Sequence, residues 1–341
     1  MKKVNYLDIA SVISAISVVI LHTNGVFWQF SKENYWISSN IIECIFYFAV
    51  PVFFMISGAT LLNFYDRYNL KRYFHSRIKK TVIPYLFWTF FAIFFRLYIT
   101  KEIVLSQLTL SEILTIFLTG GGVNVYWFFI PLFCIYLSIP LLASVKEEKR
   151  KEVFSYLAIT GFVINILLPF INSVFNLEIR LGISVNIISG YLIFLIIGYL
   201  LHNYEINNRL TIAIYFLGIL GLLLHIVGTY YHSIEIESVS KLYKGYANLP
   251  SILYSTAVFL LFKNFGKKLL YNNKIEFIIM HTKKYTFSIY LLHFYIITLI
   301  GAYVNKYSIV WRLFGFIPIM VIVIIITFFI RKTRVGKIIL P

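Results

Sequence analysis

Charge is what this chain is short of. Only 13% of its 341 residues are Asp, Glu, Lys or Arg, about half the share usual in a soluble domain. Acids are the scarcer sign, 14 against 31 Lys and Arg. Such a balance excludes an ordinary water-soluble globule. Cysteine is almost missing as well. Cys44 and Cys134 both sit in apolar runs, which excludes a disulfide framework and a cysteine-based metal site, and no metal is expected. No Gly-x-Ser-x-Gly elbow occurs, so Ser57 in Ile-Ser-Gly reads as a tight helix contact rather than a nucleophile. Gly120–Gly122 has no Lys-Ser/Thr after it and is not a phosphate loop. There is no internal repeat. No small-x-small cleavage site follows the first apolar run, so Lys2 and Lys3 head an uncleaved span rather than a signal peptide.

What is present is apolar surface. The chain is 60% hydrophobic and 19% aromatic, with a mean hydropathy of +0.81. It reads as an all-α, polytopic integral membrane protein, because lipid leaves backbone groups no water to bond. Ten segments are long enough to cross a bilayer, at 6–26, 37–63, 82–100, 123–144, 153–175, 184–202, 210–231, 247–264, 286–305 and 309–330. Pro51 is expected to kink the second, and Pro131 lies in the fourth. One membrane domain over 1–341 is expected, with no appended soluble domain.

The net charge of +17 sits in short loops between these runs. It therefore speaks of topology and anionic headgroups rather than nucleic acid. With the N-terminus inside, the inner segments hold 23 Lys and Arg and the outer loops 6. Both termini are expected in the cytoplasm. Residues 102–119 have the spacing of an amphipathic helix lying on the outer surface. Residues 66–80 form a dense inner basic segment in which Arg77 and Lys80 share a face if it is helical. Such a pair suits a phosphate-bearing ligand or, as the simpler alternative, lipid headgroups.

The first span carries the most informative pattern. At helical spacing Asp8, Ser11, Ala15, Val18 and His22 fall on one face. Asp8 and His22 lie about 21 Å apart along it, too far to touch but able to line one cavity. Ionisable groups inside an apolar helix are expensive and usually functional; the alternative is one polar residue at each membrane edge. His225 and His293 rival His22, each inside an apolar span, while His75, His202, His232 and His281 fall in loops or at interfaces. Arg96 and Arg312 are the intramembrane guanidiniums, and Arg96 sits where it can snorkel outward.

Five stretches together resemble one family. They are YLDIASVISAISVVILH (6–22), FAVPVFFMISGATLL (48–62), RIKKTVIPYLFW (77–88), YWFFIPLFCIYLSIPLL (126–142, with Trp127 and Pro140) and YTFSIYLLHFYII (285–297). In order and spacing they resemble the acyltransferase-3 family of integral-membrane acyltransferases, which includes bacterial polysaccharide and wall O-acetyltransferases. One position departs. Members typically carry Arg, ten residues and then His in the first span, and here Ser11 stands where that Arg is expected and His22 where the His is.

The resemblance implies acetyl transfer from cytoplasmic acetyl-CoA to a glycan of the capsule, exopolysaccharide or wall, in a bacterial plasma membrane. It implies His22 as the acid/base group with Asp8, and Arg77, Lys79 and Lys80 against the coenzyme phosphates. Ser11, Trp127, Tyr290 and His293 would then line the substrate path or pore. A lipid-linked sugar transporter and a non-catalytic sensor subunit are the alternatives, the second favoured by Ser11.

Overall fold

The computed structural model describes residues 5–188 and 190–341, so Lys2 and Lys3, expected ahead of the first span, lie outside the described residues. The described chain is all helical. α1 (Tyr6–Thr23) starts at Asn5, whose side chain accepts from the Leu7 and Asp8 amides while the Asp8 carboxylate accepts the Asn5 amide at 3.0 Å. The second apolar run is two helices, α2 (Asn34–Phe46) and α3 (Ala49–Leu61), broken at Tyr47 and Phe48. Pro51 explains the break, since it has no N–H for the Tyr47 carbonyl one turn back.

α4 (Leu70–Arg77) passes through a π turn at Ile78–Val82 into α5 (Ile83–Tyr98). α6 (Leu110–Thr119) is short, and α7 (Phe129–Ala143) carries Pro131 harmlessly in its first turn. α8 (Glu147–Phe162) runs through a π turn at Val163–Leu167 into α9 (Leu168–Val174). Pro84 and Pro169 each sit just past a π turn and withhold the amide that an α register would need there, so the helix takes up one extra residue instead.

α10 (Leu192–Asn203) covers only the second half of the expected 184–202 span. Its 12 residues reach about 18 Å of an apolar core near 30 Å thick. The chain before it is irregular, with Gly190 at φ +62°, and it is held by a two-way amide pairing of Asn165 with the Val185 backbone at 2.9 Å. α11 (Asn208–Leu223) joins α12 (Thr229–Glu235) through a π turn at Leu224–Gly228, where Asn40 Nδ2 donates to the Ile226 carbonyl at 2.9 Å. The chain closes with α13 (Leu249–Leu269), α14 (Asn273–Thr282), α15 (Thr286–Ile300), α16 (Ile309–Phe314), α17 (Phe316–Ile330) and α18 (Gly336–Ile339). Among the described residues seven helical stretches are long and apolar enough to cross a membrane by length and composition. α10, α13 and α15 occupy the other three expected segments.

α1 is the central helix. Thirteen of its 18 residues are buried, because it packs against α3, α13 and α15 at once. α3 and α10 approach most closely: a Cβ on Gly58 would run into the Leu195 carbonyl, and one on Gly198 into that of Met55. The close contact is thus at Gly58, one residue after Ser57, whose hydroxyl donates back to the Phe53 carbonyl at 3.1 Å. Hydrogen bonds fix which ends lie together. Where α1 starts, Asp8 meets Lys283 at 3.1 Å, Tyr6 meets His202 at 2.5 Å and Lys263 Nζ donates to the Leu201 and Tyr204 carbonyls. Where α1 ends, Thr23 donates to the Arg312 carbonyl at 3.1 Å and Asn24 to that of Ser39 at 2.9 Å.

Candidate active site

His22 occupies the last turn of α1, and Thr23 and Asn24 pin that turn to α16 and α2 through the two bonds just described. α15 lies alongside α1 and brings His293 against it: the ring centroids are 5.1 Å apart with planes at 44°. His293 Nδ1 is 2.9 Å from the Ile289 carbonyl. A carbonyl only accepts, so Nδ1 carries the proton and Nε2 is left with a lone pair. Among the described residues that Nε2 is buried without a hydrogen-bond partner, and the His22 ring lies nearer the His293 ring than that of Tyr290 does. Among the described residues neither ring nitrogen of His22 has a protein hydrogen-bond partner.

His22 opens into a cavity of about 440 Å³ walled by Trp28, Tyr47, Trp127, Tyr191, Tyr246 and Tyr290, with Glu43 and Asn124 among its polar groups. The wall contains a stack of rings. Trp127 lies on Tyr246 at 5.3 Å and 23°, and Tyr246 on Tyr47 at 4.1 Å and 4°. The Tyr290 hydroxyl donates to the Val125 carbonyl, which ties α15 to the turn bearing Trp127. Behind the stack Glu43 and Lys244 form an ion pair at 3.0 Å, with side chains 3% and 1% exposed. The Lys244 ammonium lies 3.7 Å from the centre of the Tyr47 ring and 4.7 Å from that of Phe27, so aromatic faces share its charge with the carboxylate. His225, fully buried, meets Tyr47 edge-on at 5.0 Å with both nitrogens unpartnered.

The structure gathers His22, Trp127 and Tyr290 around one space, with His293 buried against His22 outside the cavity wall, and places the other predicted site residues elsewhere. Asp8 lies at the opposite end of α1. There it pairs with Lys283 and caps its own helix. Ser11 is half-buried in α1, and the cavity wall stops at Val18. Arg77 is separated from Lys79 and Lys80 because the π turn that begins at Ile78 spoils the i, i+3 alignment. It turns inward between the Tyr73 and Tyr136 rings at 6.0 and 5.5 Å, its buried Nε without a partner, while both lysines are exposed.

Neither intramembrane guanidinium replaces the missing one at Ser11. Arg312 is bonded to the Tyr35 carbonyl and to the Ser38 and Ser39 hydroxyls, and Arg96 to Glu102 at 3.2 Å and the Gly121 carbonyl at 3.1 Å. Both stand at the His22 end of the bundle. Glu43 and Lys244 are the residues that sequence reasoning passed over. The signal was a lone acid inside the second apolar run, and its partner is 201 residues away.

No curated protein and no solved structure matches the chain. A family model described as an acyltransferase domain matches residues 4–330. The match takes in both histidine-bearing helices and every wall of the cavity, and this chain therefore belongs to the acyltransferase 3 family of polytopic membrane proteins.

Proposed function

We propose that this protein is a membrane O-acyltransferase that carries an acetyl or other short acyl group from cytoplasmic acyl-CoA to a hydroxyl of a cell-surface or lipid-linked glycan. The observation that carries the reading is His22, an imidazole with both nitrogens uncommitted, facing an aromatic-walled cavity and backed by His293. Stacked rings suit the apolar faces of a sugar, and the exposed Asn124 suits its hydroxyls. In the reaction the acceptor oxygen attacks the thioester carbonyl carbon and the carbon–sulfur bond breaks. His22 takes the hydroxyl proton and passes it to the departing thiolate. His293 is a positioning residue: its proton is committed to Ile289, so its bare Nε2 can hold the other N–H of His22.

The donor enters from the end where α1 starts. Arg77, half-buried with a spare N–H, fits a coenzyme phosphate, and the exposed Lys79 and Lys80 add to the attractive field. Asp8 orders this end through Lys283. The test is transfer of labelled acetyl from acetyl-CoA to the host's de-acetylated surface polysaccharide by protein in nanodiscs. Alongside it, Arg77→Ala with Lys80→Ala should weaken coenzyme A binding about tenfold or more, since each charge-assisted contact contributes about 1.5–3 kcal/mol. Unchanged binding in the double variant would move the donor site off this segment. Binding without any transfer to a glycan would leave the acceptor assignment wrong.

The membrane orientation follows from the same placement, both termini cytoplasmic. With Cys44 and Cys134 replaced by serine, a single cysteine at Lys71 or Asn273 should resist an impermeant thiol reagent in intact cells, and one at the exposed Tyr303 should react. Labelling at Lys71 would reverse the orientation.

A further inference from the structure

A cavity of about 1020 Å³ lies outside the site at His22. It is a long groove between the last turn of α9 and the α11–α12 pair. Its lining on that pair recurs at Leu220, Leu223 and Leu224, Val227, Tyr231 and His232, and Glu235, one stripe at helical spacing. Leu223, Val227 and Tyr231 are 52%, 48% and 67% exposed, so the groove is open along its side. In both bounding spans, Glu147–Val174 and Asn208–Glu235, only 17% of the apolar stretch is buried. The open side therefore faces lipid.

One ring closes the inner side. Tyr243 meets Phe170 of α9 edge-on, with centroids 5.7 Å apart at 80°, and lies against Gly228, where a Cβ would strike that ring. It thus touches both walls. The turn that carries it is held by His232, whose Nδ1 is 2.8 Å from the Ser240 hydroxyl oxygen, and by the Ser240 amide, which donates to the Ser233 hydroxyl oxygen at 2.9 Å. The residues that follow face the other way. Lys244 holds Glu43, and Tyr246 stands in the wall of the His22 cavity. The groove and that cavity are back to back across residues 242–246.

Length and polarity select the occupant. From Leu220 to Glu235 the groove runs about 22 Å at the helical rise, and one bilayer leaflet with its headgroups is about 20–22 Å thick. The lining changes along that length as a leaflet does. It is apolar from Leu220 to Val227; Tyr231 stands at the transition, where interfacial aromatics sit; Ser173, Asn176, His232 and Glu235 form the mouth. The mouth lies at the His22 end of the bundle, where Lys32, beyond the end of α1, pairs with Glu237. A smaller space of about 270 Å³ shares Ser173 and Leu242 with the groove and adds Lys241. An acid and an ammonium, Glu235 and Lys241, therefore flank Ser173. Both are exposed, and among the described residues neither side chain has an ion-pair or hydrogen-bond partner. The two signs together match a headgroup that carries both a phosphate and an ammonium, whereas a purely anionic one would be repelled by Glu235.

We propose that this groove holds one zwitterionic phospholipid of the leaflet at the His22 end, with an acyl chain along Leu220–Val227, its phosphate at Lys241 and its ammonium at Glu235. The site does not depend on the transferase reading. The test uses full-length protein in mild detergent, stripped of lipid and then given phosphatidylethanolamine or phosphatidylglycerol, with bound lipid counted by native mass spectrometry. One phosphatidylethanolamine per chain should be retained, about tenfold more tightly than phosphatidylglycerol. Val227→Trp and Leu223→Trp, each filling the groove from its open side, should release it. Glu235→Gln should bind both lipids alike. All three positions are exposed, so far-UV circular dichroism of the variants should match the wild type. Retention of the lipid by both Trp variants would overturn the site. Equal binding of the two lipids by the wild type, or an unchanged preference in Glu235→Gln, would overturn the occupant.

Discussion

Lys244→Met should unfold this protein at a distinctly lower temperature than any surface substitution does. The ammonium and the Glu43 carboxylate are each almost wholly removed from solvent and are 3.0 Å apart. Glu43 Oε2 has Asn24 Nδ2 as a further donor at 3.4 Å, a long contact that cannot replace the ammonium. Removing the lysine leaves a buried carboxylate with little compensation, which costs about 3–5 kcal/mol. The thioether also forfeits the attraction of the Tyr47 and Phe27 faces for a cation. Glu43→Gln with Lys244→Met should recover much of the loss, because no charge is then stranded. Thermal unfolding in detergent of the two single variants and the double one would show this as strong coupling. Additive losses, or no loss in Lys244→Met, would mean that the pair is hydrated and not part of the bundle's interior.

That pair also marks where sequence reading stopped. Lys244 belongs to a stretch between apolar runs, and the positive-inside count takes it as one of six outer-loop cations. Nothing local says that its loop folds back into the bundle. The information lies in Glu43, an acid in an apolar run, and a match between residues 201 apart needs the packed helices to become visible.

His22 was legible for the opposite reason: a single ionisable ring in an apolar helix is conspicuous by itself. His293 was legible only as a competitor. That the two are neighbours depends on α1 lying against α15, which periodicity does not specify. Asp8 was conspicuous for the same reason as His22, yet at the start of its helix it caps Asn5 and pairs with Lys283, 275 residues away.

The helical architecture could be read from hydropathy alone, because lipid permits so few alternatives. Hydropathy does not give the interruptions. The break after α2 was expected from Pro51 rather than from hydropathy, and the π turns before Pro84 and Pro169, which were not expected, also follow from missing amides. The pattern of apolar residues hardly registers them, yet the first of these turns decides that Arg77 points inward and Lys80 outward. The amphipathic spacing of α6 was equally plain. Which of its apolar residues met protein was not: Ile116 is buried while Leu110, Leu114 and Leu118 are exposed, and an apolar stripe looks the same whether its partner is a core or a lipid chain.

His22→Ala is expected to lose about 10²–10⁴-fold in turnover, the contribution of a positioned general base. Coenzyme A affinity should be unchanged, because the donor's phosphates are assigned to Arg77 on α4, at the end remote from the His22 cavity. The loss should fall on kcat, as it does when only the chemical step is impaired. His293→Gln should be milder and should shift the pH profile of turnover, since it alters how His22 is held rather than removing it.

The measurement that bears most directly on the account is coenzyme A release from acetyl-CoA by wild-type and His22→Ala protein in nanodiscs, with the de-acetylated host polysaccharide present and donor binding measured in parallel. The account predicts glycan-dependent release by the wild type, and its collapse in the variant with donor binding intact. Wild-type turnover by His22→Ala would contradict it and remove the aromatic-walled cavity from the chemistry.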